Sequence, residues 1–207
     1  MSDRQVKQAL GIDFGGTTVK LGLVNERGEI RASASFPTLE TRGPESWVDR
    51  VAQSLPQLGL PTEASALKAQ LAGIGVGVPG FTDFGRGFIY ELTNVPGWSA
   101  VPLAELMERR FGLRTFVDND VNAMALGECT FGCGRLYHHA VFVTLGTGVG
   151  GGLLIHNKIY RGAYSMAGEI GHMSIDLNGL RSPQGVGGLE LYVGNRAIAQ
   201  RAAAALR

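Results

Sequence analysis

Residues 9–25 read ALGIDFGGTTVKLGLVN, and this stretch decides the fold. An apolar run comes first, a turn rich in glycine and threonine follows, and a second run alternates apolar with polar residues. Such alternation is typical of a β-strand with one buried face, and short glycine turns join antiparallel strands. The turn ERG then leads into a third run, EIRASASF, which also alternates. The N-terminal third is therefore predicted to form a three-stranded antiparallel meander.

The same pattern returns at residues 140–160, AVFVTLGTGVGGGLLIHNKIY, where a glycine-rich turn again separates two apolar runs. Elsewhere, segments with apolar residues at helical spacing alternate with short apolar runs. The helices are predicted at 44–58, 101–112, 121–132 and 189–207, and the strands at 71–80 and 113–119. This alternation favours an α/β fold with two related halves, residues 1–117 and 118–207. The second half holds too few strands to complete a sheet, so it is expected to expose apolar edges.

Composition limits the classes of function. The chain has 207 residues, of which 44% are hydrophobic and 18% are charged, so it can bury a core and general disorder is not expected. The net charge is +1 and lysine and arginine form no basic stripe, so neither nucleic acid nor a membrane is an expected partner. The sequence starts without a signal-peptide segment, and its two cysteines, Cys129 and Cys133, do not make a disulfide framework. A cytoplasmic location is expected.

Glycine is enriched: the chain has 31, about twice the usual share. Two clusters, DFGGTT at Asp13–Thr18 and GTGVGGG at Gly146–Gly152, follow apolar strands. In such turns backbone N–H groups can face an anion without a Cβ in the way, and the threonine hydroxyls add donors. Asp13, at the end of a strand, is a candidate for holding Mg²⁺ through water. Neither cluster is a Walker A sequence, and plain hairpin turns are the alternative.

Five motifs stand in a fixed order: GIDFGGTTVKLGLVN, NVPGW, VDNDVNAMALGE, TLGTGVGGGLL and AGEIGHMSID. In sequence and spacing they resemble the ROK family of sugar kinases and repressors, especially its bacterial glucokinase-like members, over nearly the whole chain. The resemblance implies an actin-like ATPase (ribonuclease H-like) fold with two α/β domains around a cleft, the second domain being incomplete. It also implies transfer of the γ-phosphoryl group of ATP, with Mg²⁺, to the 6-hydroxyl of a hexose, with glucose favoured. A homodimer is expected for the full-length form.

The resemblance also assigns roles to individual residues. Asp120 corresponds to the catalytic base in the family's Asn-Asp pair. The residues expected to contact the sugar are Asn94, Asn119, Asp120, Glu169, His172 and Glu190. The residues expected to hold the nucleotide phosphates are Asp13, Gly15, Gly16, Thr17, Thr18, Gly146, Thr147, Gly148 and Gly150. Asp13 is also expected to interact with Mg²⁺, through water or a phosphate.

Residues 116–123, FVDNDVNA, raise the question of which carboxylate takes the proton. Phosphoryl transfer needs a group that accepts the hydroxyl proton, and a carboxylate at the carboxyl end of a strand suits that task. Asp118 and Asp120 both lie near such an end, and spacing alone does not separate them. The resemblance selects Asp120 and leaves Asp118 as a supporting or surface residue. The alternative is that Asp120 or Asn119 only caps the helix that follows.

The sequence departs from the family where its members commonly bind a structural zinc ion. The family's stretch Cys-x-Cys-Gly-x-x-Gly-Cys-Leu-Glu corresponds to RSPQGVGGLE, with Arg181, Pro183 and Gly188 at the three cysteine positions. None of these residues supplies a thiolate, and a structural zinc site needs four ligands. No structural zinc is therefore expected, although the family's histidine is present as His172.

Family members continue for roughly another hundred residues, about the length of a domain, so the chain is interpreted as C-terminally truncated. Three functions remain open. The first is an ATP-dependent hexokinase or glucokinase. The second is a non-catalytic sugar-binding protein of the same family, and because only ten residues precede GIDFGG, the helix-turn-helix of the family's repressors is not expected. The third is an inactive fragment that binds sugar weakly.

Overall fold

A computed structural model describes residues 7–92 and 95–206 of the chain. Its strands, in chain order, are β1 (Gln8–Phe14), β2 (Thr18–Asn25), β3 (Ile30–Pro37), β4 (Leu71–Val78), β5 (Phe81–Asp83), β6 (Phe88–Glu91), β7 (Ser99–Val101), β8 (Thr115–Asn119), β9 (Ala140–Leu145), β10 (Val149–Ile155), β11 (Lys158–Ile159), β12 (Arg181–Ser182) and β13 (Gly185–Val186). Its α-helices are α1 (Pro44–Ser54), α2 (Ala64–Gln70), α3 (Leu103–Phe111), α4 (Asp120–Thr130), α5 (Glu190–Val193) and α6 (Asn195–Ala205). The predicted α/β class is confirmed.

The first half is built on a five-stranded sheet with the order β3-β2-β1-β4-β8. Strands β1, β2 and β3 form the predicted antiparallel meander. Strand β4 runs parallel to both β1 and β8, and its register places Gly77 between Asp13 of β1 and Asp118 of β8. Because parallel strands end at the same edge of a sheet, the polar residues that end β1 and β8 are brought to one edge.

The core of the first half is one cluster of buried side chains from this sheet and from α1, α2 and α3. At its centre, Phe14 of β1 stacks on Trp47 of α1 with ring centroids 4.9 Å apart. Trp98 meets both rings edge-on, at 4.6 Å from Phe14 and 5.6 Å from Trp47. Aromatic pairs in this geometry add to the stabilisation from buried area. Because Phe14 is the last residue of β1 and Gly15 follows it, this packing fixes the strand end at which the glycine turn begins.

The second half contains a smaller sheet with the order β11-β10-β9. Helix α4 lies between the two sheets and touches glycines in both. A side chain added at Gly77 of β4 would meet Ala123 at 3.5 Å, and one added at Gly152 of β10 would meet Ala125 at 3.0 Å. These glycines therefore let the helix approach both sheets closely. The buried cluster of this half is small and gathers around Ala125.

Strand β9 is at the edge of the smaller sheet and exposes one apolar face. Val141, Val143 and Leu145 have 65%, 52% and 62% of their surface exposed. Phe142, on the opposite face, packs against the buried cluster. The expectation of exposed apolar edges is confirmed. The predicted division after residue 117 falls inside β8 and stays a prediction.

The sequence does not predict three groups of short elements. Strands β5, β6 and β7 form an antiparallel sheet, β12 and β13 form a hairpin, and α2 precedes β4. The predicted C-terminal helix is divided at Gly194, whose extended conformation separates α5 from α6. Across the ranges that the structure describes, every helix is too short or too polar to span a membrane.

Candidate functional site

The corner between β8 and α4 carries the Asp-Asn-Asp sequence, and its asparagine caps the helix. Oδ1 of Asn119 accepts hydrogen bonds from the backbone N–H groups of Val121 at 2.9 Å and Asn122 at 3.2 Å. Its Nδ2 donates to the carbonyl oxygen of Gly80 at 3.4 Å, so the cap also contacts the turn after β4. The capping role that was left open for this pair of residues is therefore filled by Asn119.

Asp118 is buried, with 6% of its surface exposed, and both of its carboxylate oxygens are used by donors. Nε of Arg161 donates to Oδ1 at 3.2 Å and to Oδ2 at 3.1 Å, and its Nη2 also donates to Oδ2. Oδ1 further accepts from the backbone N–H of Asn119 at 2.9 Å and from the side-chain amide of Asn122 at 3.4 Å. Of the two roles left open for Asp118, the surface role is wrong and the supporting role fits, because its side chain is a buried partner of Arg161.

Asp120, in contrast, keeps one oxygen free. Its Oδ1 accepts from the backbone N–H of Val121 at 2.9 Å, while Oδ2 has no hydrogen-bond partner in the part of the chain that the structure describes. Partial burial raises the pKa of Asp120; the hydrogen bond from Val121 opposes this shift, and the negative charges of Asp13 and Glu169 add to it. A carboxylate with a free oxygen and a raised pKa is suited to accept a proton near neutral pH.

Glu169 and His172 come from one segment and Glu190 from another, and the charges of His172 and Glu190 both act on Glu169. Nε2 of His172 is 3.7 Å from Oε2 of Glu169. Burial raises the pKa of Glu169; His172 opposes this shift, and the charge of Glu190 adds to it. Oε2 of Glu190 accepts a hydrogen bond from the backbone N–H of Val149 at 3.0 Å. Since the charge of Glu169 also acts on Asp120, four of the predicted sugar residues form one polar cluster.

The first glycine cluster is a tight turn between β1 and β2. The N–H of Gly15 donates to the carbonyl oxygen of Thr18 at 3.1 Å, and the hydroxyl of the buried Thr38 donates to the carbonyl oxygen of Gly15 at 2.6 Å. A side chain added at Gly15 would come within 2.7 Å of the Thr18 oxygen, so the turn requires glycine there. Gly16 and Thr17, at the tip of the turn, are exposed.

Asp13 precedes this turn with an accessible carboxylate. Its Oδ2 pairs with Nζ of Lys20 at 3.3 Å, and the Asp13 side chain is 53% exposed. Mg²⁺ usually takes one or two carboxylates, with waters and phosphate oxygens completing its shell. Asp13 fits such a site because its carboxylate is accessible and its charge acts on Asp120. Within residues 7–92 and 95–206, no group of three or more His, Cys, Asp or Glu side chains is arranged to hold a metal alone.

The second glycine cluster divides into a turn and a strand. In the turn between β9 and β10, the N–H of Gly146 donates to the carbonyl oxygen of Gly148 at 2.9 Å. A side chain added at Gly148 would overlap the carboxylate of Glu190. Gly150 instead lies inside β10, where its missing side chain admits Val121 of α4. Packing therefore explains Gly150, and its contact with phosphate stays a prediction.

Two cavities lie on the segments around the candidate site. One, of about 160 Å³, lies between the turn that carries His172 and the β12–β13 hairpin, and Glu190 borders it. The other, of about 440 Å³, lies between the β5–β6 hairpin and residues 163–166. Asp120 is not among the lining residues of either cavity. Of these two cavities, only the smaller is lined by residues of the polar cluster, His172 and Glu190.

The residues present do not fit the zinc ion that the family resemblance implies. The three positions where the family places cysteines offer no thiolate, and the segment before Glu190 is held by other contacts. The hydroxyl of Tyr192 accepts from the backbone N–H of Leu180 at 3.0 Å and donates to Asp176 at 3.4 Å. Ser174 and Gly188 form an antiparallel bridge. Backbone pairing and one tyrosine thus hold residues 174–188 against each other and against α5.

Two of the predicted residues have no defined contact at the site. Asn94 lies outside the described residues, and Thr147 is exposed at the tip of the second turn. Arg161, in contrast, is a residue that sequence reasoning missed. Arg161 follows the two-residue strand β11 and Tyr160, and a charged residue in such a place is usually exposed. Asp118 was the signal in the sequence that such a residue exists. A carboxylate buried in an apolar strand is costly unless a positively charged side chain pairs with it.

Comparison with known proteins gives matches over nearly the whole chain. The sequence profile of the ROK family matches residues 9–207. The glucokinase of Thermotoga maritima is 37% identical over 170 residues, which are 82% of this chain and 51% of that protein. A putative xylose repressor of a Caldicellulosiruptor species is 35% identical over 200 residues, which are 95% of this chain and 49% of that protein.

The structural comparison agrees with the sequence matches. The crystal structure of a ROK family glucokinase from Streptomyces griseus, in complex with glucose and AMPPNP, matches with a TM-score of 0.77 and 33% identity, covering 95% of this chain and 62% of that chain. The predicted actin-like ATPase fold is therefore confirmed. The chain spans about half the length of the curated relatives it matches. Because the family profile covers all but the first eight residues, the chain belongs to the ROK family.

Proposed function

We propose that this chain carries the sugar-binding and phosphoryl-transfer residues of an ATP-dependent hexokinase, with glucose as the favoured acceptor. The observation that carries the proposal is the free carboxylate oxygen of Asp120, within charge range of both Asp13 and Glu169. Phosphoryl transfer needs positioning, charge stabilisation and a proton acceptor, and separate residues are available for each. The glucokinase relatives support the sugar-kinase class and make glucose the first substrate to test.

Asp120 is the proposed proton acceptor. The sugar 6-hydroxyl donates a hydrogen bond to Oδ2 of Asp120, and the proton moves to this oxygen as the new P–O bond forms. The bond between the γ-phosphorus and the β,γ-bridging oxygen breaks in the same step, and ADP leaves with that oxygen. Oδ1 remains bound to the N–H of Val121, which fixes the plane of the carboxylate. The cap formed by Asn119 holds the first turn of α4 and with it the backbone of Asp120.

The remaining residues bind and orient the substrates. Glu169, His172 and Glu190 are proposed to hydrogen-bond the other sugar hydroxyls, and Asn94 and Asn119 to add amide contacts. The two glycine turns are proposed to hold the phosphates of ATP through backbone N–H groups and threonine hydroxyls. When bound, Mg²⁺ would neutralise negative charge on the phosphates, and Asp13 is the residue that would hold it.

A second candidate is a sugar-binding protein without catalysis. Its support is the similarity to xylose repressors, including the xylose repressor of Bacillus subtilis at 29% identity over 197 residues. Both candidates use the same sugar residues. They differ in whether sugar binding is followed by release of ADP.

A coupled assay of ADP release over a panel of hexoses, with xylose included, separates the candidates. Asp120→Asn should lower glucose-dependent ADP release by roughly 10²–10⁴-fold, because it removes the proton acceptor. The matched control is Asp49→Asn on α1, where the carboxylate is 66% exposed and pairs with Arg110 at 3.6 Å, and its rate should be unchanged. Equal rates for Asp120→Asn and the unmodified chain would exclude Asp120 as the base. Sugar binding in calorimetry without ADP release would favour the second candidate.

A further inference from the structure

Arg161 heads the segment that carries Glu169 and His172. Its backbone carbonyl accepts a hydrogen bond from the N–H of Ala167 at 3.0 Å, which closes the segment into a loop. Gly168 follows with φ of 95° and packs its backbone against Gly151 of β10. The loop is therefore anchored at both ends, at Arg161 and at Gly168.

The side chain of Arg161 reaches two elements of the first half. It forms the paired contact with Asp118 at the end of β8. Its guanidinium carbon also lies 3.8 Å from the ring centroid of Phe84, in the turn between β5 and β6. Phe84 in turn stacks on Phe116 of β8, with centroids 6.3 Å apart and 19° between the ring planes. A planar guanidinium can pair with a carboxylate in its plane and stack on an aromatic face at the same time, and lysine cannot do both.

The contacts of Asp118 carry this connection to α4. Besides Arg161, its Oδ1 accepts from the backbone N–H of Asn119 and the side chain of Asn122, both in the turn that presents Asp120. Removing the guanidinium leaves a buried carboxylate whose remaining donors belong to that turn. Breaking a buried pair by removing one partner is costly, so Asp118 and the turn are expected to rearrange together.

We propose that Arg161 is a positioning residue: through Asp118 it sets the sugar-binding loop, which carries Glu169 and His172, at a fixed place relative to Asp120. The inference rests on the proposed function, because it gives the pair a role in bringing the sugar to the base. Arg161 itself does not touch the reacting atoms. It fixes the loop after Arg161 relative to the turn after Asp118, although these two residues are 43 positions apart in the chain.

Hydrogen exchange measured by mass spectrometry tests the connection without substrate. Arg161→Lys keeps the charge but loses the paired contact and the stacking. It should raise exchange by at least about tenfold in peptides covering both 118–124 and 162–172, while peptides of β1 and β4 stay within about twofold. Arg109→Gln on α3 is the matched control, since its partner Glu105 is 4.0 Å away and both side chains are exposed. Faster exchange in only one of the two segments, or an equal increase over the whole chain, would overturn the inference.

Steady-state kinetics provide the functional readout. In Arg161→Lys the KM for glucose should rise by about tenfold or more, while the KM for ATP stays within about twofold, because the phosphate turns do not contact this pair. Equal changes in both KM values would mean that Arg161 acts only through general stability and would refute the positioning role. If the unmodified chain releases no ADP, the proposed function fails, and the exchange result alone decides whether Arg161 couples the two segments.

Discussion

A substitution at Gly148 tests whether the second glycine turn is coupled to Glu190, a proposed sugar-binding residue. A side chain added at Gly148 would overlap Oε2 of Glu190 and lie 2.9 Å from its Cδ, whereas one added at Gly146 meets no atom within 4 Å. Neither glycine has a positive φ that would penalise alanine. Gly148→Ala and Gly146→Ala therefore form a matched pair in one turn that differs in a single contact.

In Gly148→Ala the Glu190 carboxylate must swing away and lose its hydrogen bond from the N–H of Val149. A hydrogen bond to a charged group contributes about 1.5–3 kcal/mol, so a Glu190 that is no longer held in place should weaken glucose binding by roughly ten- to a hundredfold. The clash involves the end of a flexible side chain. The free energy of unfolding should therefore fall by no more than about 3 kcal/mol, the upper value for the hydrogen bond that is lost.

Calorimetric titration with glucose measures Kd for both variants, and urea unfolding measures their stability. Gly146→Ala should bind glucose within about twofold of the unmodified chain, because it leaves Glu190 untouched. An equal Kd for the two variants would refute the reasoning, since Glu190 would then not need the second turn to bind sugar. A large loss of stability in Gly148→Ala would also contradict it, because rotation of Glu190 would not have relieved the clash.

Four further predictions concern the charge of Asp120, the buried core and the exposed edge strand β9. Burial raises the pKa of Asp120, so its ionised form destabilises the folded protein. Asp120→Asn should therefore raise Tm near pH 7, which calorimetric scans measure. This gain should shrink on acidification and be gone below a pH of about 3.9, the ordinary pKa of aspartate. For the same reason, ADP release should decline at a higher pH than for an ordinary aspartate when the assay is acidified. Trp47→Ala should lower the free energy of unfolding in urea by about 3–5 kcal/mol, because Trp47 is fully buried against Phe14. Val143→Lys, on the exposed face of β9, should reduce concentration-dependent light scattering with Tm nearly unchanged, and unaltered scattering would rule out this face as the site of association.

The large elements of the fold could be predicted because their signals are local. The meander follows from the apolar run before DFGGTT and the period-two alternation after it, and α1 and α3 follow from apolar residues at helical spacing. Strand β5 has three residues and β12 has two, which is too short for either period to be visible. The break at Gly194 was equally hidden, because an alanine-rich segment favours a helix on both sides of it.

The candidate site was predicted less completely, because a side chain's role depends on which donors surround it. Asp118 and Asp120 look alike in the sequence. In the fold, Arg161 and the two asparagines use both oxygens of Asp118, while the N–H of Val121 uses one oxygen of Asp120. Arg161 stands 43 positions from Asp118, so no window of sequence around the motif contains the reason for the difference.

The division of tasks among these three neighbours also explains why the motif needs two carboxylates. A lone carboxylate at the end of β8 would attract the N–H groups of the first turn of α4 and would have no oxygen left for a substrate. Here Asn119 accepts from two of those N–H groups, and Asp118 pairs with the guanidinium of Arg161. Oδ2 of Asp120 therefore stays free, because Asn119 accepts the hydrogen bonds of the helix N-terminus and Asp118 pairs with Arg161. On this reasoning Asp118 is as necessary as Asp120, although both of its own oxygens are already used by protein donors.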